Sequence, residues 1–157
     1  MLTIRPSHAR DGERVVDIWR NAVDATHHFL TPADRLAIEA EVRTFLPDAP
    51  LLLAVDQLDH AVGFMLLDGS HMEALFIDPA HRGRGVGRLL VEHALSQYGL
   101  MSTDVNEQNG QAIGFYQRMG FTVTSRSPLD GQGRAYPLLH LHYSGSANQL
   151  AASQSLQ

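Results

Sequence analysis

The sequence predicts an α/β domain. Short apolar runs typical of strands alternate with longer stretches that carry apolar residues at helical spacing, in the order β-α-α-β-β-β-α-β-α-β-β. Glycines and prolines separate these runs. A chain of 157 residues, 44% of them hydrophobic, is large enough to bury one core. We therefore expect residues 1–143 to form a single domain.

One strand and two helices are predicted for the first 50 residues. Thr3–Pro6 reads as a strand, and Asp11 opens a helix with one apolar face. Thr31 is a typical N-cap residue and Pro32 suits a first turn, which predicts the start of a second helix. The two prolines after residue 45 end it. The residues expected on the buried faces of the two helices are Val15, Trp19, Ala22, Val23 and Thr26, followed by Ile38, Val42 and Phe45.

Three strands and a helix follow. Leu51–Asp56 and Ala61–Asp68 are apolar runs joined by a polar turn, which is the pattern of a hairpin. Met72–Ile77 is the next predicted strand. The apolar run Leu89–Tyr98 is typical of a helix, and Gly99 stops it.

The remaining elements are read from shorter runs. Gly120 stands where a left-handed residue would close a helix, with Phe121 folding back towards Tyr116. Residues 144–157 are small, polar and uncharged, which predicts a disordered tail. The predicted elements are the strand Met101–Val105, the helix Gly110–Met119 and the strands Thr122–Ser127 and Tyr136–Tyr143.

Composition excludes several kinds of protein. The net charge of −5 argues against binding to nucleic acid or to an anionic membrane surface. No apolar run approaches the ~18 residues of a membrane helix, and the first residues do not resemble a signal peptide, so we expect a cytoplasmic protein. The chain has no cysteine, which excludes disulfides and thiolate nucleophiles. Nine histidines show no metal-ligand spacing, and two of them, His140 and His142, share one face of the last strand.

A glycine-rich loop lies between the strand Met72–Ile77 and the helix that follows it. It reads His81-Arg82-Gly83-Arg84-Gly85-Val86-Gly87-Arg88. Glycines let backbone N–H groups approach a ligand, the start of the helix adds a positive dipole end, and the arginines add charge. The pattern predicts an anion site, most simply for a pyrophosphate. A P-loop would need a lysine, which the chain lacks, and a dinucleotide fingerprint would need glycine where Arg88 stands.

A second motif follows the loop. Residues Asn109 to Phe121 match the pattern N-x-x-A-x-x-F-Y-x-x-x-G-F. This segment resembles a hallmark of the GCN5-related N-acetyltransferases (GNAT), and the Arg-Gly-x-Gly-x-Gly loop resembles the acetyl-CoA pyrophosphate loop of the same family. The two motifs have the order and spacing of that family. The resemblance covers Leu2 to Tyr143 and is closest to one bacterial subgroup.

The resemblance implies a fold and a cofactor. The GNAT fold is an α/β fold whose mixed, mostly antiparallel central sheet is splayed between strands 4 and 5 and flanked by four helices. Its cofactor is acetyl-CoA, with the diphosphate on the loop and the pantetheine arm along the strand before it, where a backbone N–H would also polarise the thioester carbonyl. The expected cofactor-binding residues are Leu75, Phe76, Ile77, Arg82, Gly83, Arg84, Gly85, Val86, Gly87, Arg88, Asn109, Phe115 and Tyr116.

The implied reaction is acetyl transfer to a primary amine by direct attack in a ternary complex, because the chain has neither a cysteine nor a G-x-S-x-G elbow. A lysine-like amine must first lose a proton to a base. His71 and Glu73 on the strand before the loop, and Asp104 on the next strand, are the candidates. We expect His71, because histidine titrates near neutrality without tuning. By the resemblance, Tyr116 lies near the thioester sulfur and protonates the leaving thiolate.

The acceptor stays open between a protein lysine and a small-molecule amine. In the family the first two helices and the late hairpin line the acceptor side. A second hypothesis is an acyl-CoA-binding sensor with little or no catalysis, and a third is a different acyl donor or an oxygen acceptor. We expect no metal, and a monomer or a homodimer. The residues that the resemblance places on the acceptor side are Asp24, Thr26, His27, His28 and Phe29.

Overall fold

The computed structural model describes residues 1–145. Four α-helices and seven strands follow one another in this range in the predicted order. The chain forms two compact units, Met1–Gln97 and Tyr98–Gln157. The single domain expected for residues 1–143 stays a prediction. Within residues 1–145, no helix is both long and apolar enough to cross a membrane.

The first unit contains four strands and three helices. Its sheet is antiparallel, in the order β1-β2-β3-β4, and its predicted hairpin is confirmed as the pair of β2 and β3. The bounds of these elements are β1 Thr3–Pro6, α1 Gly12–Thr26, α2 Pro32–Phe45, β2 Leu52–Val55, β3 Ala61–Asp68, β4 His71–Ile77 and α3 Val86–Tyr98.

Helix α1 covers one face of this sheet with the side chains that its spacing predicts. Asp11 is its N-cap residue, after a short 3-10 turn. Trp19 packs in a cluster with the strand residues Leu53 and Phe64, all of them buried. Burial of such side chains stabilises the unit by roughly 1.5–3 kcal/mol each. The core of the first unit therefore lies between α1 and the sheet.

Helix α2 covers the core less closely than its sequence predicts. Thr31 caps it as expected, accepting a hydrogen bond from the Asp34 N–H at 3.1 Å. Ile38 and Val42 are partly buried against the core. Phe45, however, is 57% exposed, so its predicted place in the buried stripe is wrong. The helix ends at this residue, and the next residue, Leu46, turns inwards and is only 4% exposed.

The second unit is a three-stranded sheet with one helix. The sheet is antiparallel, with β7 in the middle. Thr103, Val105 and Leu141 are buried on one face, while the alternate residues Asp104 and His140 lie on the other. The bounds are β5 Ser102–Asn106, α4 Gly110–Met119, β6 Phe121–Ser127 and β7 Leu138–Tyr143.

Helix α4 has the bounds that the sequence predicts, and both of its ends are capped. The Asn109 side chain accepts a hydrogen bond from the Ala112 N–H at 3.2 Å. Gly120 has a φ of 103°, and Phe121 lies back against Tyr116 with ring centroids 5.4 Å apart. Ser144 donates its N–H to the Gly120 carbonyl at 2.9 Å, so regular contacts extend one residue beyond the predicted limit of 143. Most of the predicted disordered tail, residues 146–157, lies outside the described residues.

Candidate active site

The glycine-rich loop has the backbone that an anion cradle requires. Gly83 and Gly85 adopt left-handed φ values of 73° and 78°, which glycine tolerates and other residues resist. A Cβ built on either residue would meet no heavy atom within 4 Å, so open space lies beside both backbones. The loop can therefore admit a ligand to its main-chain N–H groups, and its residues fit a diphosphate.

The start of α3 adds to this cradle. The helix begins at Val86, three residues earlier than the apolar run predicts, so Gly87 and Arg88 are helical. Its first hydrogen bond runs from the Leu89 N–H to the Gly85 carbonyl at 2.9 Å. Helix geometry leaves the amides before this bond without an intrahelical acceptor, at the positive end of the dipole. A helix of this kind attracts a phosphate.

The three arginines of the loop differ in their surroundings. Arg82 and Arg84 are exposed in the loop itself. Arg88 lies in the first turn of α3, and its Nε donates to the Glu92 carboxylate at 2.7 Å. Since both partners are exposed, this ion pair is weak and exchangeable. The guanidinium charge of Arg88 is thus shared with a carboxylate, which the sequence did not indicate.

Close packing on Gly63 fixes the start of α3 on the sheet. Gly63 lies in β3, opposite Ile77 of β4. A Cβ at this position would meet Ile77 Cδ1 at 2.8 Å and Val86 Cγ1 at 2.9 Å. Val86 is buried against this gap, so its side chain anchors the loop while its backbone belongs to the helix start. A glycine far from the loop in sequence therefore helps to position it.

Strand β4 carries the expected pantetheine-binding residues. Leu75, Phe76 and Ile77 pair with β3 in regular antiparallel register. The Phe76 side chain packs against the core of the first unit. Side-chain burial and backbone binding are compatible in one strand, so their proposed role towards the cofactor stays a prediction.

A bulge separates the two base candidates of β4. The register pairs Leu66 with Ala74 and Leu67 with Met72, which leaves Glu73 as the extra residue. In a regular strand His71 and Glu73, two residues apart, would share a face, and the bulge breaks this alternation between them. A bulge changes the direction in which the neighbouring side chains point. The alternation of residues in the sequence does not reveal this change.

Glu73 opens onto a cleft of about 350 Å³ in the first unit. Two carboxylates, Glu73 and Asp68, and several apolar side chains line it. An apolar wall with carboxylates suits the aliphatic stem and the charged end of a long amine. The other lining residues are Phe45, Leu46, Leu66, Leu67 and Ala74.

The segment at the end of α1 that the sequence predicts on the acceptor side makes several contacts within the protein. Burial lowers the pKa of His27 to about 4, and the adjacent charge of His28 adds to this effect, so His27 is neutral at pH 7. Its Nδ1 lies 2.7 Å from the Thr26 hydroxyl. Its ring packs against Phe29, with centroids 5.2 Å apart. Asp24 forms an ion pair with Arg35 of α2.

Tyr116 of α4 is a buried phenol in the second unit. It is 6% exposed and makes edge contacts with Phe115 and Phe121. Burial raises the pKa of Tyr116 well above its usual value, and a hydrogen bond with the Thr103 side chain opposes that rise. The hydroxyl is therefore protonated at any physiological pH, as a proton donor must be. Its predicted role near the thioester sulfur stays a prediction, as does that of Asn109 towards pantetheine.

The structure groups the predicted residues in two sets. The loop, β4 and both of its base candidates lie in the first unit, whereas the second unit holds Phe115, Tyr116, Asn109 and the third base candidate, Asp104. The predicted splay of the sheet between β4 and β5 concerns the junction of the units and stays a prediction.

Sequence reasoning missed one polar cluster. Asp104 Oδ1 lies 2.6 Å from His140 Nδ1, and His140 Nε2 lies 2.6 Å from the Ser127 hydroxyl. The three side chains come from β5, β7 and β6. The sequence analysis names Asp104 as a base candidate and places His140 on a strand face, but their contact depends on the register between strands.

Three comparisons connect this architecture to known proteins. Residues 47–123 match the family described as Acetyltransferase (GNAT) domain. The chain is 56% identical over 146 residues to the peptidyl-lysine N-acetyltransferase YjaB of Escherichia coli, covering 93% of this chain and 99% of the relative.

Solved structures agree with this relationship. The solution structure of apo YjaB from E. coli has a TM-score of 0.90 at 56% identity, with 93% of this chain and 99% of that chain covered. The PaiA N-acetyltransferase of Thermoplasma acidophilum, solved with coenzyme A, has a TM-score of 0.71 at 18% identity and covers 91% and 98% of the two chains. The GNAT fold predicted from the two motifs is confirmed. The chain belongs to the GNAT family of acetyltransferases.

Proposed function

We propose that this protein transfers the acetyl group of acetyl-CoA to the side-chain amine of a peptidyl lysine, by direct attack in a ternary complex. The observation that carries the cofactor site is the left-handed glycine loop at the start of the 13-residue helix α3. The choice of a lysine acceptor is supported by the similarity to YjaB over almost the whole chain.

Cofactor binding is assigned to the loop and to β4. The amides before Leu89, with Arg82 and Arg84, hold the diphosphate by charge-assisted hydrogen bonds. The backbone of Leu75 to Ile77 binds the pantetheine arm. Acetyl-CoA supplies the acetyl group as an activated thioester.

The amine must be neutral before it attacks. A pH of 7 is about 3.4 units below the pKa of a lysine amine, so deprotonating the amine costs roughly 4.6 kcal/mol. A base that takes the proton typically contributes about 10²–10⁴-fold to the rate. His71, Glu73 and Asp104 are the base candidates, and Glu73 has the added support of lining the cleft beside β4.

Tyr116 serves as the donor that meets the departing thiolate. Its buried phenol keeps its proton across the physiological range, because burial raises its pKa. A hydrogen bond from a neutral donor stabilises the charge that develops on sulfur.

The lack of lysine in this chain sharpens the assay. All twelve basic residues other than histidine are arginine, so the protein cannot acetylate a lysine of its own. Any acetyl-lysine found after incubation belongs to the added substrate.

The test is acetyl transfer to a lysine peptide. The reaction is monitored by the release of free coenzyme A, and the product is identified by mass spectrometry. A peptide whose lysine is already acetylated is the matched control. We expect transfer to the first peptide only. If coenzyme A release stays at background for lysine peptides and small amines while acetyl-CoA still binds, the protein is an acyl-CoA sensor. Transfer to small amines but not to the lysine peptide would contradict the peptidyl-lysine acceptor and assign a small-molecule amine instead.

Location and assembly are part of the same proposal. We place the protein in the cytoplasm, as a monomer or a homodimer that binds neither nucleic acid nor membranes. The acidic net charge supports the last two statements. Size-exclusion chromatography with light scattering tests the assembly.

A further inference from the structure

Arg14 of helix α1 binds the residue from which the chain leaves strand β4 towards the glycine-rich loop. Its Nη2 donates to Asp78 Oδ2 at 2.6 Å, and its Nε donates to the Ala61 carbonyl at 2.9 Å. Asp78 is the first residue after β4, and Ala61 is the first residue of β3. The guanidinium of Arg14 therefore joins the helix to both strands within the first unit.

Asp78 shapes the turn that leads into the loop. Its second carboxylate oxygen, Oδ1, accepts a hydrogen bond from the Ala80 N–H at 3.1 Å, and its carbonyl accepts one from the His81 N–H at 2.8 Å. Its own N–H donates to the Val62 carbonyl of β3 at 2.9 Å. Arg82 and the glycines follow this turn directly. The orientation of Asp78 thus sets the direction in which the chain enters the loop.

The glycine-rich loop is held at both of its ends. At the helix end, Val86 packs over Gly63. At the strand end, Asp78 is tied to α1 and β3. Gly83 and Gly85, between these anchors, have open space beside their backbones and no side chains to pack. A loop that is ordered before binding loses less freedom when a ligand arrives, so the two anchors favour binding.

Arg14 also balances a negative charge at the entrance to an anion site. Burial acts to raise the pKa of Asp78, but hydrogen bonds from Arg14 and from the Ala80 N–H outweigh it, so this pKa lies below its usual value and the carboxylate is ionised at pH 7. The Asp78 side chain is only 12% exposed, so salt screens the pair less than it screens a surface pair. Without Arg14, a buried and unpaired carboxylate would stand before the loop that receives a diphosphate.

We propose that Arg14 is a positioning residue for acetyl-CoA binding, which acts through Asp78 to fix the strand end of the glycine-rich loop. The hydrogen bonds of the pair go to protein groups, and the main-chain N–H groups of the loop bind the diphosphate. Arg14 thus sets where those N–H groups stand and cancels the charge of the carboxylate beside them. This inference rests on the proposed function, in which the loop holds the diphosphate.

The test is a double-mutant cycle on the full chain, with the dissociation constant for acetyl-CoA measured by isothermal titration calorimetry. We expect R14Q to raise this constant about tenfold, which corresponds to about 1.4 kcal/mol. D78N should raise it only about threefold, because it leaves no unpaired carboxylate and asparagine can still cap the turn. If Arg14 acts through Asp78, R14Q/D78N should bind acetyl-CoA no more weakly than R14Q alone.

The kinetic constants separate positioning of the loop from a general loss of structure. In the transfer assay, R14Q should raise KM for acetyl-CoA by about the same factor as the dissociation constant. At saturating acetyl-CoA, kcat and the KM for the lysine peptide should stay within about twofold of the unaltered protein. This split is expected because the diphosphate contacts contribute equally to the ground state and the transition state.

Arg5 supplies the matched control in the same unit. It donates to the carboxylate of Asp11, which is 11% exposed and so as buried as that of Asp78, and it also pairs with Asp59. Arg5 lies in β1, which two strands separate from β4. R5Q therefore breaks at least as many ion pairs as R14Q without touching the turn before the loop. It should lower the midpoint of thermal unfolding and leave the dissociation constant for acetyl-CoA within about twofold.

Three results would overturn the positioning role: an unchanged acetyl-CoA affinity in R14Q, an equal loss of affinity in R5Q and R14Q, or additive losses in the double variant. Should R14Q fail to fold, D78N decides in its place, and an unchanged affinity there would reject the role.

Failure of the proposed function is distinguishable from failure of the positioning role. If the unaltered protein binds acetyl-CoA but transfers no acetyl group, the sensor replaces the enzyme, and a tenfold loss of affinity in R14Q still supports the positioning role. If the unaltered protein does not bind acetyl-CoA, both proposals fail.

Discussion

Replacing Gly85 with alanine tests the cofactor loop through its backbone alone. The substitution keeps the amide and adds one methyl group at a φ of 78°. The added Cβ meets no heavy atom within 4 Å, so the cost comes from the backbone rather than from a clash. An L-residue in the left-handed conformation costs about 1–2 kcal/mol.

This cost converts into an affinity. The free loop of the variant relieves the strain by leaving the left-handed conformation, and binding must restore it. The dissociation constant for acetyl-CoA should then rise by about 5- to 30-fold, which corresponds to about 1–2 kcal/mol. Isothermal titration calorimetry measures this change directly.

Gly99 supplies the matched control. It follows α3 at the other end, has a φ of 70° and also has open space around its Cβ position. Gly99→Ala places an L-residue in the same left-handed conformation, so it should lower the free energy of unfolding by about 1–2 kcal/mol. It should leave the affinity for acetyl-CoA unchanged. Equal affinities for the two variants would refute the assignment of the diphosphate to the glycine loop.

Three further predictions concern other parts of the molecule. Tyr116→Phe should lower kcat by about tenfold or more with unchanged acetyl-CoA affinity, since it removes a proton donor and keeps the packing; a full rate would reduce Tyr116 to a core residue. Gly63→Ala should cost about 1–3 kcal/mol in thermal unfolding through contact with Val86, and should also weaken acetyl-CoA binding; unaltered binding in a destabilised variant would separate Gly63 from the loop. Hydrogen bonds from Arg5 lower the pKa of Asp11 from 3.8 to about 2, so this carboxylate contributes about 2 kcal/mol of stability above pH 4 that is lost as pH falls towards 2. Asp11→Asn should flatten acid unfolding in that window, and an unchanged acid profile would contradict the assignment.

Local signals account for the elements that the sequence predicts well. Helix α4 has its predicted bounds because Asn109 caps one end and Gly120 closes the other in a left-handed turn. Helix α1 follows from a stripe of apolar residues at a spacing that only one face can satisfy. Caps and stripes are properties of neighbouring residues, so they can be read from the chain itself.

The missed features depend on contacts between distant residues. Phe45 fits a helical stripe, but the helix ends there and Leu46 takes the inward position. The bulge at Glu73 depends on pairing with β3. Asp104 and His140 are 36 residues apart and meet only because β5 and β7 pair in one register.

The features of the candidate site also separate into those that local residue types predict and those that depend on contacts between distant residues. The loop at Gly83 and Gly85 was predicted from residue type, because only glycine adopts that backbone without strain. The burial of Tyr116 follows from its place on the apolar face of α4. The partner of Arg88 and the anchoring of Val86 on Gly63 required coordinates.

The most direct test of the diphosphate cradle is a backbone amide NMR titration with acetyl-CoA and with S-acetylpantetheine, which carries the thioester without the diphosphate. We predict that acetyl-CoA produces large chemical-shift changes at the backbone amides of residues 83–88. S-acetylpantetheine should leave the chemical shifts of these amides unchanged. Equal shifts with both ligands, or no shift in the loop at saturating acetyl-CoA, would contradict the account.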